Sequence, residues 1–514
     1  MEQPEGQARY ACAACQRLKK KCDRLLPECS LCLRCGSTPH RFPVLNVIRH
    51  HRSCSYDQST RNSGNGAMTT VSASASSAKV YQQAGNGFPP VYFLDSLLFS
   101  RSLGHLPDTN LPIDSELQSF IGDVSDVKTF ASTFLNYVHP WLPFISRKLF
   151  SERFLNPLAR PHAETELLIA AVKLVAIAPG EGDPRSLVYH HMKATLHQAE
   201  INGLLKFRIF QALILVALYE IGHAIYPSAY LTLGYCARYG AALGVNKAIS
   251  GTSGQTYNWS ESEEERRSWW AVIVLDRCLN LGCADRASVV EEPSSSSFLP
   301  MDDKQWELGV NASYQANVLS SPPTEGMGRF GLTVQAAVLL GRVFRNMHDN
   351  TGGDDFRNDE ARVLDNTINA LTQVSLEEGR YRGIGVCSPT TICYSSRLLL
   401  NERQRISTNT WHDTPESTSP PPDFVAHIAA EMLRLARAIS AEGSCATEEI
   451  SPFCLDTMYR SAIFYASNHK QTGNRSDLDA LEDIKTAFKV MNGRWRVAGI
   501  YLQLIEARDF SGIW

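Results

Sequence analysis

Half of the cysteines in this 514-residue chain lie close to its N-terminus. Seven of the 14 fall between residues 12 and 54, and the first five are spaced as Cys12-x2-Cys15-x6-Cys22-x6-Cys29-x2-Cys32. Each C-x2-C pair brings two thiolates within reach of one tetrahedral ion, and zinc favours four such ligands at about 2.3 Å. The spacing therefore predicts a small head folded around metal, where binding typically contributes about 10–16 kcal/mol of folding free energy.

The number of thiolates limits how zinc can be held. Two independent four-ligand sites would need eight thiolates, whereas two ions can share six if two sulfurs bridge them. We therefore expect two Zn²⁺ ions in one cluster. The N-terminal sequence MEQPEGQARY has no apolar signal region, so we expect a reducing compartment, where clustered cysteines bind metal more often than they form disulfides.

Charge is distributed unevenly along the chain. Residues 1–57 contain ten Lys and Arg against five Asp and Glu, although the whole chain has a net charge of −3. Between Cys15 and Cys22 lies the run Gln16-Arg17-Leu18-Lys19-Lys20-Lys21, and Arg24 follows shortly after. These cations can neutralise phosphates, and a lysine on a short helix in the major groove can contact guanine O6 and N7. The head is therefore predicted to bind double-stranded DNA.

The sequence divides into three parts. Residues 8–57 form the cysteine-rich head, residues 58–90 a flexible linker rich in Ser, Gly, Ala and Thr, and residues 91–514 a large body. Apolar residues at helical spacing dominate the body, so the fold class is predicted to be mostly α. The longest apolar run, residues 209–226, is interrupted by Gln211, Glu220 and His223, which indicates a buried helix rather than a membrane span.

The head resembles the fungal binuclear zinc-cluster family of transcription regulators. The resemblance rests on the five spaced cysteines, the basic run, Asp23 and Pro27. It implies two short helices around two zinc ions, with Cys12 and Cys29 as the bridging thiolates. It also implies that Lys19 reads a CGG-type triplet, that Arg17, Lys20, Lys21 and Arg24 support DNA binding, and that the protein acts in the nucleus.

The sixth zinc ligand departs from the family pattern, in which a much shorter spacer follows the fifth cysteine. Here 21 residues separate Cys32 from Cys54, whereas Cys35 lies only three positions after Cys32. Cys54 stands in Arg-Ser-Cys-Ser-Tyr, which is similar to the family's ending, so we favour Cys54, with Cys35 as the alternative. A long loop is tolerable, since each doubling of a flexible loop costs only about 0.6 kcal/mol. A retained intron would also explain the spacer, and His40, His50 or His51 could replace a thiolate.

The body resembles the regulatory region of the same family over residues of about 130–310. The segments that carry this resemblance are 137–143 (YVHPWLP), 233–244 (LGYCARYGAALG), 263–277 (EEERRSWWAVIVLDR) and 299–306 (LPMDDKQW). Ser260 and Glu263 are expected to form a capping box at the start of the third segment. Asp302 and Asp303 are expected in a loop, Trp269 and Trp270 in the core, and residues 495–505 in a C-terminal helix.

These features predict a transcription factor, not an enzyme, that regulates metabolic or biosynthetic-cluster genes transcribed by RNA polymerase II. The body is expected to bind a second copy, a co-regulator or a small-molecule effector, and no membrane. The alternative is an interaction protein that titrates regulatory partners, if the spacer after Cys32 disables the cluster. A third hypothesis rests on the Asp354–Asp359 run, which is similar to the magnesium motif of helical terpene-type synthases, although a solvated helix start explains it better.

Overall fold

The computed structural model describes residues 22–23, 88–101, 106, 111–154, 162–251, 259–309, 317–348, 354–381, 388–409, 422–441 and 447–511. The chain divides into two units, residues 1–80 and residues 81–514. The boundary between the units lies inside the predicted linker. Nearly all of the described residues belong to the second unit, which is the body.

The body is built from α-helices, as the spacing of apolar residues predicts. In chain order, the helices before residue 250 are α1 (Val91–Leu94), α2 (Ser96–Arg101), α3 (Ser115–Ile121), α4 (Val124–Tyr137), α5 (Arg147–Phe154), α6 (Ala163–Ala176), α7 (Leu187–Ile201), α8 (Phe207–Gly222) and α9 (Ser228–Leu243). Local sequence explains several of their starts. At α4, for example, the Asp123 side chain accepts a hydrogen bond from the Asp126 backbone N–H while the Asp126 carboxylate accepts one from the Asp123 N–H.

The second half of the body is also helical. Its helices are α10 (Trp259–Leu279), α11 (Asp303–Leu308), α12 (Arg329–His348), α13 (Asp354–Tyr381), α14 (Ser388–Asn409), α15 (Asp423–Ser440), α16 (Cys454–Thr472), α17 (Arg475–Met491) and α18 (Val497–Ser511). Short 3-10 helices cover Val245–Ser250, Glu325–Met327 and Thr447–Glu449. Within the described ranges, β-structure is limited to one isolated bridge between Phe298 and Val318.

Helix α8 lies at the centre of the body. Every residue from Ile209 to Gly222 is buried, and α8 packs against α6 and α9. Its buried Glu220 is paired with Lys193 Nζ at 2.9 Å and accepts a hydrogen bond from the Tyr189 hydroxyl at 2.7 Å. The prediction of a buried helix here is confirmed, and no described helix has the length and apolar character needed to cross a membrane.

Helices α8, α9 and α10 approach one another closely at Gly240. A Cβ added to Gly240 would lie 2.7 Å from the Phe210 ring and 3.0 Å from the Trp269 ring, so a larger residue would push the helices apart. The same helix α9 ends at Gly244, whose φ of +79° suits glycine. Glycine is therefore required at two positions of the segment 233–244 for different reasons: close helix packing at Gly240 and a positive φ at Gly244.

One sequence prediction about α10 is wrong. The helix already includes Trp259, so Ser260 lies within its first turn instead of capping it. Glu263 does not return to the start of the helix, because its carboxylate accepts hydrogen bonds from Arg267 Nε and from the Met301 backbone N–H, both at 2.9 Å. Tertiary partners have replaced the expected local cap.

The C-terminal helix is confirmed, although it begins at Val497, after Trp495. Trp495 and Ile505 are fully buried, which anchors both ends of this segment to the core. Helix α18 also packs against α16 and α17. Residues 410–421, between the end of α14 and the start of α15, lie outside the described residues.

Candidate functional site

Most of the predicted zinc and DNA ligands lie outside the described residues. This applies to Cys12, Cys15, Cys29, Cys32, Cys35 and Cys54, and to Arg17, Lys19, Lys20, Lys21 and Arg24. Cys22 is described and is a half-buried free thiol, and Asp23 beside it is exposed. A thiol at Cys22 fits the chemistry of a zinc-thiolate cluster, and the rest of the ligand set stays a prediction.

The body brings together side chains from segments that are far apart in the sequence. At the centre is Arg267 on α10, which has no exposed surface. Its Nε donates to Glu263 Oε1 at 2.9 Å, and its Nη1 donates to Asp303 Oδ1 at 2.9 Å. A second bond from Nη1 reaches the Pro143 carbonyl at 3.0 Å, and Nη2 reaches the Met301 carbonyl at 2.6 Å. This guanidinium therefore connects three of the four body segments singled out in the sequence.

Asp303 extends this network to α12. Its Oδ1 is paired with Arg267, while its Oδ2 accepts a hydrogen bond from the Phe330 backbone N–H at 3.2 Å. The expectation of a loop is therefore wrong for Asp303, whereas Asp302 lies in the loop just before α11. Asp302 caps α11 by accepting a bond from the Gln305 N–H, and Asp303 is the first residue of that helix and is buried.

Glu264, the neighbour of Glu263, makes a second set of buried contacts. Its Oε1 accepts hydrogen bonds from Arg208 Nη1 at 3.0 Å, from the Ser146 backbone N–H at 3.0 Å and from Gln211 Nε2 at 3.3 Å. Glu264 is 1% exposed, so an unpaired charge here would be costly. The carboxylate holds the start of α5 and the start of α8 against α10.

His139 belongs to the same buried region. Its ring stacks on that of Trp306 with centroids 6.1 Å apart and planes 8° apart, and the Arg267 guanidinium lies 4.0 Å from the Trp306 ring centroid. The His139 Nε2 lies 2.9 Å from the Ile145 carbonyl, and Arg147 Nε lies 3.4 Å from Nδ1. Burial, with the nearby charge of Arg147, lowers the pKa of His139 to about 3, so the ring is neutral. With its hydrogen on Nε2, the ring donates to the Ile145 carbonyl and accepts from Arg147 Nε at Nδ1.

Further along α10, Asp276 and Arg277 hold a different loop. Asp276 accepts hydrogen bonds from the backbone N–H groups of Val289 and Val290 at 3.2 and 3.3 Å. Arg277 pairs with Asp276 and donates to the Val290 carbonyl at 2.9 Å. The two side chains thus provide hydrogen-bond partners for two N–H groups and one carbonyl of a loop, which has no helical hydrogen bonds of its own to pair them.

The polar residues of α10 thus bind the loops that precede and follow it. The sequence predicts that these motifs belong to a regulatory region. In the structure, their polar side chains form the buried hydrogen-bond network around Arg267 and Glu264, which we call the buried frame. The pairing of Arg267 with Asp303 was not predicted, because no local pattern relates two residues on different helices. A signal existed, however, since a charged side chain inside an apolar helix requires a partner when it is buried.

Several cavities open in the described part of the body, and two of them adjoin α12. A cavity of about 440 Å³ lies between the segment 284–293 and α12, and is lined by Arg277, Phe344, Arg345 and His348 among others. A second cavity, of about 310 Å³, is lined mainly by the segment 319–323 with α12 and α13. Both volumes fall in or near the range of small-molecule sites.

The remaining candidate residues have structural explanations. Asp355 and Asp359 are exposed at the start of α13, which agrees with a solvated helix start and not with a magnesium cavity. Trp269 and Trp270 are core residues, as predicted. Among the scattered body cysteines, Cys236, Cys278, Cys393 and Cys454 are buried, Cys283 is half-buried, and Cys387 and Cys445 lie outside the described residues. In the described part of the chain, no three His, Cys, Asp or Glu side chains are grouped to hold a metal.

Both the head and the body of the chain match known protein families. Residues 10–39 match the fungal Zn(2)-Cys(6) binuclear cluster domain, and residues 131–324 match the fungal specific transcription factor domain. The second match contains Arg267 and its four hydrogen-bond partners, whereas Phe330 lies just beyond it. No solved structure matches the chain.

Three curated relatives are transcription factors. Transcription factor BOA15 of Botryotinia fuckeliana is 34% identical over 181 residues, which is 34% of this chain and 98% of the relative. The azaphilone cluster-specific transcription factor azaR of Aspergillus niger is 23% identical over 356 residues, covering 66% of this chain and 72% of the relative. Transcription factor tazR of Aspergillus terreus is 27% identical over 154 residues, covering 29% of this chain and 24% of the relative.

The matched domains occur in the order that the sequence predicts, with the zinc cluster before the helical region. They make the chain a zinc-binding, DNA-binding transcription regulator and indicate a role other than that of an enzyme. The chain belongs to the fungal Zn(2)-Cys(6) transcription factors that carry a fungal specific transcription factor domain.

Proposed function

We propose that this protein acts in the nucleus as a sequence-specific regulator of RNA polymerase II transcription that reads CGG-type half-sites. One observation carries the proposal: the zinc-cluster match over residues 10–39 coincides with the spaced cysteines and with the basic run between them. Cations placed inside a metal-stabilised fold can be held rigidly against phosphates and base edges.

In this proposal, each group of head residues has a separate role. Two zinc ions are held by Cys12, Cys15, Cys22, Cys29, Cys32 and a sixth cysteine, and the metal supplies the folding free energy of the head. Lys19 contacts guanine in the major groove, because a lysine can donate to O6 and N7. Arg17, Lys20, Lys21 and Arg24 neutralise phosphates, which raises affinity without selecting sequence.

Cys54 is proposed as the sixth ligand, with Cys35 as the alternative. The matched range contains Cys35 and ends before Cys54, which favours the alternative. The sequence Arg52-Ser53-Cys54-Ser55-Tyr56 favours Cys54, because it is similar to the end of the family pattern. The two choices predict different zinc contents for the corresponding serine variants.

The target genes are proposed to form a biosynthetic cluster. The support comes from one relative, which is an azaphilone cluster-specific transcription factor. The two chains are 23% identical, so the proposal concerns the class of target and not the product.

The helical body is proposed to regulate the head by binding a second copy, a co-regulator or a small-molecule effector. The buried frame around Arg267 supports this role, because a well-ordered core can present a defined surface or cavity to a ligand. The cavities of about 440 and 310 Å³ are candidate positions for an effector.

The experiment that tests the proposed function compares two duplexes with the full-length chain. One duplex contains a CGG triplet and the other carries a substitution of both guanines. We expect tighter binding to the first, with affinity for both falling as salt rises, because released counterions drive phosphate contacts. Equal affinity for the two duplexes at every salt concentration would reject sequence-specific reading.

A second candidate function follows from the 21-residue spacer between Cys32 and Cys54. If this spacer prevents zinc loading, the chain would act through its body alone and titrate regulatory partners away from DNA. This candidate predicts no zinc-dependent duplex binding by the full-length chain.

A further inference from the structure

Three basic side chains surround Trp495 where α17, α18 and the end of α8 meet. Arg494 and Arg496 flank Trp495 in the turn between α17 and α18, and His223 follows α8 directly. The His223 ring centroid lies 5.6 Å from that of Trp495, and the Arg494 guanidinium lies 3.9 Å from the Trp495 ring centroid. Close packing of α8 on this tryptophan depends on Gly222, where an added Cβ would lie 2.3 Å from Trp495 Cε3.

Arg494 is buried, yet most of its guanidinium lacks a hydrogen-bond partner. The residue is 3% exposed, and its Nη2 donates to the Val175 carbonyl at 2.8 Å. Its Nε and Nη1 are buried without any partner. A buried donor without a partner loses the free energy of its hydrogen bonds to water.

The two neighbouring basic groups show the same deficit. Arg496 donates to the Asn492 carbonyl at 3.3 Å and to the Gly180 carbonyl at 2.7 Å, but its Nε is buried without a partner. The His223 Nδ1 accepts from the Arg496 backbone N–H at 3.4 Å, so the neutral ring carries its hydrogen on Nε2, which also lacks a partner. All four orphaned atoms are therefore donors.

The two arginines of this cluster also form no ion pair among the described residues. In the described part of the chain, no carboxylate lies within salt-bridge distance of Arg494 or Arg496. Burial lowers the pKa of Arg494 to about 10, against the opposing effect of the Glu448 carboxylate. Burial and the two arginine charges lower the pKa of His223 to about 3, which keeps the ring neutral. The Arg494 guanidinium remains cationic near neutral pH.

Two other buried arginines of the body, Arg267 and Arg277, are paired with carboxylates, and so is the half-buried Arg460. Arg267 contacts two carboxylates, Glu263 and Asp303, and Arg460 contacts Asp456 and Glu402. A buried charge without an opposite charge is strongly unfavourable. Water could satisfy the orphaned donors but would not neutralise two cations, whereas an anion would do both.

The cluster is open on one side. The segment 180–183 is largely exposed, and a Cβ added to Gly180 or Gly182 would meet no atom within 4 Å. The bond from Arg496 to the Gly180 carbonyl is solvent-exposed, whereas Arg494 lies deeper, against Val175. The orphaned donors are themselves buried, so a ligand would reach them from the side of the exposed segment 180–183.

We propose that Arg494, Arg496 and His223 form a binding site for a small anion that carries a carboxylate or phosphate group. The anion would accept hydrogen bonds from the four orphaned donors and neutralise the two guanidinium groups. His223 and Val175 lie inside the matched domain, residues 131–324, whereas both arginines lie outside it. The ligand would thus join the family domain to the C-terminal helices. This inference does not depend on DNA binding by the head.

The test is calorimetric titration of the full-length chain with inorganic phosphate and, separately, with citrate. Ionic strength is held constant with chloride. We expect saturable binding of at least one anion, and the anion that binds identifies phosphate or carboxylate as the recognised group. Arg496→Gln removes a cation at the rim, and Arg494→Met removes the deeper cation while keeping an unbranched side chain. Each should raise the dissociation constant at least tenfold.

The matched control is Arg475→Gln, since Arg475 is an exposed arginine at the start of α17. It should leave anion binding unchanged. Two results would overturn the inference: no saturable binding of either anion at millimolar concentration, or equal affinity in the wild type and both site variants. Duplex binding measured on the same preparations reports on the head separately, so failure of one proposal is distinguishable from failure of the other.

Discussion

Arg267 and Asp303 form a buried ion pair, with Nη1 and Oδ1 2.9 Å apart, although the residues are 36 positions apart in the chain. The same guanidinium contacts Glu263, so one cation compensates two carboxylates inside the body. Because the pair connects α10 to α11, it joins two of the sequence segments that resemble the family's regulatory region. The resemblance therefore has a physical basis in a shared set of contacts.

Removing the cation should destabilise the body strongly. Arg267→Met keeps apolar bulk but removes a buried cation from Glu263, which keeps its pair with Arg266, and from Asp303, which keeps the Phe330 N–H. The loss should lower the free energy of unfolding by about 3–5 kcal/mol. Urea unfolding followed by circular dichroism measures this change. As a control, Arg434→Met removes the exposed pair with Glu431 on α15, where a loss of about 0–1 kcal/mol is expected. Equal losses in the two variants would show that the Arg267 network contributes no special stability.

The stability of the body should fall as the pH drops through the range where a free histidine is protonated. The folded-state pKa of His139 is about 3, below the ordinary value of 6.5, so between these values the unfolded state binds a proton that the folded state does not. The contribution is full above pH 6.5 and should decrease by about 2 kcal/mol between pH 7 and pH 5.

His139→Gln tests this pH dependence, because an amide can still donate to the Ile145 carbonyl but does not titrate. Unfolding free energies measured at pH 7, 6 and 5 should decline less steeply in the variant than in the wild type. Parallel declines would mean that His139 is not responsible.

The sequence predicted the kind of secondary structure better than it predicted tertiary partners. Helix α8 was predicted because an apolar run with few polar interruptions has a simple local signature. The capping box at Ser260 failed because Glu263 gains more from Arg267 and the Met301 N–H than from a local cap. The sequence does not predict that Arg494 is buried, because an arginine is ordinarily a surface residue. Its burial depends on the packing of α17 and α18, which no local pattern encodes.

The sixth zinc ligand can be identified by substitution. If Cys54 completes the cluster, Cys54→Ser should reduce the zinc content of the full-length chain and weaken duplex binding, because the thiolate is replaced by a poor zinc ligand. Cys35→Ser serves as the matched control and should leave both properties close to wild type. Metal analysis of the purified variants gives the answer, and the opposite pattern would transfer the role to Cys35.

Lys19 and its neighbours should affect DNA binding differently. Lys19→Ala should cost about 1–3 kcal/mol on a CGG duplex and less on a substituted duplex, because a base contact contributes to discrimination. Lys20→Ala should weaken binding to both duplexes by similar factors and reduce the salt dependence, because it removes a phosphate contact. Fluorescence anisotropy over a series of salt concentrations separates the two effects. Uniform loss in both variants would remove Lys19 from base reading.

The central claim is that zinc held by the N-terminal cysteines makes this chain a DNA-binding regulator. It is tested most directly by measuring zinc per full-length chain, and duplex binding before and after a chelator removes the metal. The account predicts two zinc ions per chain, loss of binding to the CGG duplex on chelation, and recovery when zinc is restored. Duplex binding that is unchanged by chelation, or a chain that holds no zinc, would contradict it.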